Sequence, residues 1–301
     1  MTRDDVTSAG PHGLGAADWY EMIDDFIPVA SMMHVVLIPR RARGTSLHIN
    51  TQAAVAATGG RLSSLAYAKR AYVDESQITE NHRPTAPDLL REVYASCLQH
   101  MDKAMNQLQA NGPRPPTLGE FAGSVALERL RPSFKSAHLL YRIGHWIDAD
   151  TVARLILEQI AWASAIPRID AEDELRSIRS SRAVTGLSRL WPQAGRLYGE
   201  LSEAAHLNLR QHHRFVGHLD HRTTITVREL ALEHAVSVLL ALSDMFVIVW
   251  EATQAPFLNG QFTAGSWFDD TYRVDSRRPF LQVIASHRAA AATHARDSSS
   301  G

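Results

Sequence analysis

One apolar run, Val236 to Trp250, constrains this chain more than any other feature. It is interrupted at Ser243 and Asp244 and flanked by Glu233, His234 and Glu251. A membrane-spanning helix needs roughly 20 mainly apolar residues, and this run has fifteen. It therefore reads as a helix buried on most sides, which other helices must cover. The chain is expected to be soluble and cytoplasmic. Met1-Thr2-Arg3-Asp4-Asp5 lacks an apolar core of signal-peptide length, and the single Cys97 fits a reducing compartment. Cys97 stands in Tyr94-Ala95-Ser96-Cys97-Leu98 on a helical pattern, where it reads as a small buried hydrophobe.

Helical periodicity recurs on both sides of that run. Trp19, Met22, Ile23, Phe26, Ile27, Ala30 and Met33 repeat every three to four residues and predict a helix over 16–34. A second stretch, 51–73, is weakened by Gly59-Gly60. Thr85-Ala86-Pro87-Asp88 opens a helix whose stripe runs from Leu89 to Leu108 and stops at Asn111-Gly112. Pro113-Arg114-Pro115-Pro116 reads as a stiff linker. Beyond it, Thr117-Leu118-Gly119-Glu120 matches a capping box. That helix is expected to break at Pro132 and resume towards Trp146. Helices follow over 151–166, from an Asp170 cap, over 193–211, and from a second capping box at Thr226 to Ala252. Leu219 to Ile225 suggests a short extended turn, and strand signals are otherwise scarce.

The expected fold is all-α: a multi-helix bundle with an N-terminal helical extension and an irregular C-terminal segment. Its expected divisions are disorder over 1–15, a helical region over 16–112, a bundle domain over 117–285 and a disordered Ala-rich tail over 286–301.

Two polar strips fall among these helices. Arg154 and Glu158 stand four apart inside Ala153-Arg154-Leu155-Ile156-Leu157-Glu158. Tyr198, Ser202 and His206, each four apart, line one strip of a later helix beside Leu197, Leu201, Ala204 and Ala205. Buried polar groups persist only when paired, so the two strips are expected to satisfy each other. As a structural network they would fix helix register. As a site, Arg154 would contact an anion, Glu158 would orient it, His206 would act as acid/base or ligand, and Tyr198 and Ser202 would position the ligand.

This arrangement, Arg-x-x-x-Glu on one helix and Tyr-x-x-Leu-Ser-x-x-x-His on a later one, resembles a group of uncharacterised bacterial helical proteins distantly similar to the HEPN superfamily. The resemblance covers about 124–250 and rests on few positions. It implies a nucleotide- or RNA-related role. In the ribonuclease members an arginine is followed after four to six residues by a histidine, with the arginine on the scissile phosphate and the histidine moving the proton. Six pairs here fit that spacing: Arg41/His48, Arg43/His48, Arg131/His138, Arg214/His221, Arg228/His234 and Arg288/His294. Composition alone gives about four, so the count carries no signal.

His206, His212, His213, His218 and His221 crowd sixteen residues, with Glu203 and His206 in Glu-x-x-His spacing. A di-iron bundle needs that motif twice. It occurs once, so no metal and no cofactor are expected. No phosphate-loop, dinucleotide-binding or nucleophile-elbow motif is present. The net charge of −1 argues against a general polyanion binder, although 28 of the 31 basic residues are arginine.

Two function classes remain. One is a helical binding or regulatory protein, in bacterial stress or phage defence by the resemblance, with a protein, nucleotide or RNA as partner and room for a homodimer. The other is a HEPN-like, metal-independent ribonuclease.

Overall fold

The computed structural model describes residues 25–30, 35–75, 78, 85–109, 112–205, 216–219, 222–225 and 231–299. The chain divides into two units, Met1–Pro87 and Asp88–Gly301. The expected 1–15 disorder lies outside the described residues.

Among the described residues of the first unit, strands stand where part of the 16–34 helix was expected; 16–24 and 31–34 lie outside the described residues. β1 (Phe26–Ala30) and β2 (Val35–Pro39) pair antiparallel, with Phe26 opposite Pro39 and Ala30 opposite Val35. Pro28 would break a helix interior, and the β-branched Ile27, Val29, Val35, Val36 and Ile38 suit a pleated surface. Alternation then buries Ile27 and Val29, which cluster with Ile38, Ala42 and Val55. After a 3-10 turn at Arg40–Ala42 come α1 (Ser46–Gly59) and α2 (Leu65–Tyr72), separated at the glycines noted in the sequence.

The second unit is helical: α3 (Ala86–Met105), which begins at the unit boundary, then α4 (Leu118–Glu128), α5 (Leu130–Arg142), α6 (Trp146–Ala165), α7 (Glu172–Ser177), α8 (Ser180–Leu187) and α9 (Ala194–Ala205). A hairpin of β3 (Val216–Leu219) and β4 (Arg222–Ile225) follows. Next are α10 (Leu232–Gln254), a hairpin of β5 (Gly265–Phe268) and β6 (Thr271–Val274), and α11 (Phe280–Ser299). The architecture is the all-α, multi-helix one expected, with small hairpins added.

α10 is the axial element. Nearly all its residues from Ala235 to Gln254 are buried, and α4, α5, α6 and α11 pack around it. Leu232–Phe257 is the one described stretch long and apolar enough to cross a membrane, and it is 89% buried inside the protein. Cys97 of α3 lies against it, with Ser243 Oγ donating to the Cys97 carbonyl at 3.2 Å.

Four expectations on segment ends are corrected. The 113–116 segment is not a free linker: Arg114 donates through two nitrogens to Glu120 at 2.8 and 2.6 Å and lies over Phe257. Glu120 also closes the predicted capping box on Thr117. Burial raises the Glu120 pKa, but the bonds from Arg114 and Thr117 outweigh it, and the carboxyl is held below its usual range. The α4–α5 break falls at Arg129, because Pro132 sits in the first turn of α5, where its missing N–H costs nothing. Asp170 caps α4 rather than α7, accepting from the Leu118 N–H at 3.0 Å. The Ala-rich tail is helical through α11 to Ser299, consistent with alanine's helix propensity and anchored by buried Phe280 and Ala291. The unit boundary also falls at 87/88, so α3 belongs with the bundle and not with an N-terminal region reaching residue 112.

Gly119 allows α4 to approach the 166–169 segment: its N–H donates to the Ile169 carbonyl at 2.8 Å, and an added Cβ would stand 1.8 Å from the Ile166 carbonyl oxygen. Gly119→Ala should therefore destabilise the protein by about 2 kcal/mol or more in urea unfolding, despite alanine's better helix propensity. Gly123→Ala, one turn on, meets only ordinary contacts at 3.6 Å and beyond and should be neutral or stabilising by up to about 1 kcal/mol. Equal destabilisation by both would refute the close-approach account. For Cys97, burial pushes the thiol pKa up to about 12 against the opposing pull of Ser243. Ellman's reagent at pH 8 should leave the native thiol unmodified and titrate one thiol per chain only in denaturant.

Candidate functional site

The two polar strips meet as expected. α6 and α9 pack together, and Arg154 Nε donates to Glu158 Oε1 at 3.0 Å, while Arg154 Nη2 donates to Tyr198 Oη at 3.2 Å. Tyr198 Oη in turn donates to Glu158 Oε1 at 3.1 Å. The guanidinium also lies over the Tyr198 ring, 5.2 Å from its centre. Burial lowers the Arg154 pKa, but Glu158 and Tyr198 outweigh it and leave it raised. This closed triangle ties one turn of α6 to one turn of α9. Its three mutual bonds fix the register of the two helices at this point. Ser202, one turn further, has a buried Oγ without a hydrogen-bond partner among the described residues. His206 lies outside the described residues.

A second constellation stands on the same face of α6, one turn before Arg154. Asp150 is buried, 1% exposed. Its Oδ1 accepts from Tyr141 Oη of α5 at 2.5 Å. His234, in the first turn of α10, places Nε2 at 2.8 Å from Oδ1 and 3.0 Å from Oδ2. Burial and the adjacent Asp150 push the Tyr141 pKa well up, so the phenol keeps its proton and acts as donor. In the tautomer that donates from Nε2 to Asp150, Nδ1 is the acceptor nitrogen of the His234 ring. The edges of Tyr141 and Trp146 meet the imidazole at 6.2 and 6.1 Å between ring centres. The His234 side chain is 33% exposed while Asp150 is sealed. A buried carboxylate orients a solvent-facing imidazole, an arrangement suited to moving a proton.

The sequence reading missed this group. Asp150 and His234 are 84 positions apart, and Asp150 registered only as part of a helix start. One of the six Arg/His pairs did contain His234; its Arg228, followed by the polar Glu229, lies outside the described residues. Among the other pairs, Arg131 is an exposed partner of Asp102, whereas His138 is fully buried, so the two share no surface. Arg43 and His48 do line one cavity of the first unit, about 370 Å³, but Arg43 donates to Thr85 Oγ1, and His48 Nδ1 accepts from the Gly44 N–H. Arg288 is exposed on α11. The Arg214/His221 pair is outside the described residues, as are His212 and His213. Among the described residues no group of three or more His, Cys, Asp or Glu is placed to hold a metal ion.

No family model matches the chain, and no curated protein or solved structure matches it.

Two further histidines are sealed in the bundle. His138 stacks on Tyr94 at 4.3 Å with both ring nitrogens lacking hydrogen-bond partners among the described residues. Its pKa falls well below the usual value through burial, then the charges of Arg142, Lys135 and Arg91. His100 stacks on Phe280 at 3.7 Å, and burial, only partly opposed by Asp244, lowers its pKa to about 4. Both are neutral in the fold, whereas the unfolded chain protonates near pH 6.5. The stabilisation is complete above that pH and is lost as pH falls from about 6.5 towards about 4 for His100. Each histidine should contribute up to about 1.4 kcal/mol per pH unit in that window. The difference in urea-unfolding free energy between pH 7 and pH 5 should shrink in His100→Phe/His138→Phe; an unchanged difference would assign acid sensitivity elsewhere.

Proposed function

We propose that this protein is a helical, metal-independent ribonuclease in which His234 is the acid–base group. The observation that supports this reading is the buried Asp150 carboxylate holding His234 by Nε2 on a ring that is one-third exposed. RNA supplies its own nucleophile, the 2′-hydroxyl, so a site able to move one proton and neutralise a phosphate is sufficient. Arg228, with five residues between it and His234, provides a cation at the spacing of the ribonucleases the sequence resembles.

In the reaction proposed, His234 Nδ1 takes the 2′-hydroxyl proton and the 2′-oxygen bonds to phosphorus. The bond from phosphorus to the 5′-oxygen breaks, and the imidazolium returns its proton to that oxygen. The products are a 2′,3′-cyclic phosphate and a 5′-hydroxyl. Asp150 stabilises the imidazolium and fixes its tautomer, and Tyr141 fixes Asp150. A bacterial cytoplasmic setting, with a role in stress or phage defence, belongs to this proposal through the same resemblance.

The test uses a single-stranded RNA and its all-2′-deoxy counterpart. Wild-type protein should cleave only the RNA and leave cyclic-phosphate ends. His234→Ala should reduce the rate at least about 100-fold, and Asp150→Asn at least about tenfold, with circular dichroism confirming that both variants remain folded. Cleavage that persists in His234→Ala overturns the reading. Tight RNA binding without any cleavage by the wild type also overturns it, in favour of a non-enzymatic binding role.

A further inference from the structure

The second unit also carries an open groove of about 630 Å³, with no residue in common with the His234 group. Its walls come from the segment after α8, the middle of α10, β6 with the turn that follows, and the first half of α11. The size falls within the range of about 300–1,000 Å³ that small-molecule sites occupy.

Its charge is strongly one-sided. Four guanidinium groups line it, Arg189, Arg273, Arg278 and Arg288, against one carboxylate, Asp244. Asp244 is fully engaged at the base of the groove. It accepts from Arg278 Nε at 2.8 Å and Nη2 at 2.5 Å, and from Trp191 Nε1 at 3.2 Å. That pairing neutralises Arg278 and leaves three cations. Arg189, Arg273 and Arg288 come from three separate parts of the chain, are exposed, and make no side-chain hydrogen bond or ion pair among the described residues. Three like charges gathered on one concavity repel one another, and their convergence gains stability when an anion enters between them. Guanidinium groups suit phosphate in particular, because their paired N–H donors match two of its oxygens.

The rest of the lining is not that of a plain anion site. Trp191 and Tyr272 are half-buried in its walls, beside apolar Leu281 and Ile284. Trp191 is held in place by its bond to Asp244, and Tyr272 by its bond to Glu251 at 2.8 Å. Aromatic side chains held in place next to exposed arginines suit a flat apolar body that carries charge at one end.

We propose that this groove is a binding site for a small organic phosphate: a phosphate or diphosphate ester of a flat aromatic body, with its charge on Arg189, Arg273 and Arg288 and its ring against Trp191 and Tyr272. The assignment stands on the groove's own residues and does not depend on the ribonuclease reading.

Isothermal titration of the full chain with 1-naphthyl phosphate, inorganic pyrophosphate and 1-naphthol tests both halves of the assignment. Naphthyl phosphate should bind tightest and should weaken as salt is raised. Arg273→Ala and Arg288→Ala should each weaken it about tenfold, and the double variant should abolish measurable binding. All three arginine side chains are exposed and unpaired among the described residues, so the melting temperature should stay unchanged and separate loss of binding from loss of fold. No binding of naphthyl phosphate by the wild type, or unchanged binding in the double variant, overturns the site. Pyrophosphate binding as tight as naphthyl phosphate overturns the aromatic half of the assignment.

Discussion

A carboxylate in the middle of an apolar helix must be matched, and α10 carries two of them a heptad apart. Asp244 and Glu251 are each 1% exposed. Leaving either unpaired would cost several kcal/mol in a low-dielectric interior. Asp244 is matched by Arg278 at the entry to α11 and by Trp191 ahead of α9. Glu251 accepts from Thr263 Oγ1 at 2.6 Å, from the Ala264 N–H at 3.0 Å and from Tyr272 Oη of β6. The segment between α10 and α11, rich in Gly, Pro and Asp, therefore takes its path from two acids on the axial helix. Its β5–β6 turn at Asp269-Asp270, both at positive φ, follows the right-handed twist of a tight hairpin. Those same two acids fix Trp191, Tyr272 and Arg278 around the groove, so the groove's shape follows from the core's polar pairing.

Carboxylates in the bundle fall into two kinds. Glu120, Asp244 and Glu251 each tie an irregular segment to a helix, Glu120 through an Arg114 that is itself 46% exposed, whereas Asp150 joins three helices. Asp150 differs. One of its partners, Tyr141, is fully buried, but the other is a ring with a third of its surface exposed. The asymmetry places a fixed negative charge behind a group able to exchange protons with whatever approaches from outside. The Arg154–Glu158–Tyr198 triangle is the opposite case, because its three groups are bonded to one another.

How much of this was legible in the sequence follows from the range of the interactions. The triangle could be anticipated because Arg154/Glu158 and Tyr198/Ser202 repeat at helical spacing within their own segments. The bundle was legible for the same reason, and α10 announced itself by length and apolarity. The β1–β2 hairpin was not: the pattern around Met22 to Met33 satisfies a period of 3.6, and only Pro28 and the β-branched residues argue for strand. The role of 113–116 was hidden because Arg114's hold on Glu120 bypasses the prolines that suggested a linker. Asp170 looked like the cap of the helix that follows it, yet it reaches back 52 positions to Leu118. The Ala-rich end read as tail because its anchors, Phe280 and Ala291, are two apolar residues in a weakly patterned stretch.

The Asp150–His234 pair and the arginine groove were illegible for a deeper reason. Each is assembled from residues that look ordinary locally: a helix-start aspartate, a histidine at the edge of an apolar run, single arginines in a chain where 28 of the 31 basic residues are arginine. Composition hides such residues, since an arginine excess makes any one of them unremarkable. What distinguishes Arg189, Arg273 and Arg288 is that no carboxylate among the described residues pairs with them, in a chain with 32 acidic residues. With acid and base nearly balanced overall, three unpaired cations around one aromatic-walled groove require that the local acid be withdrawn. Asp244 is that withdrawn acid, turned inward to Arg278. The interaction that makes the core tolerate a charge thus also leaves the groove electropositive.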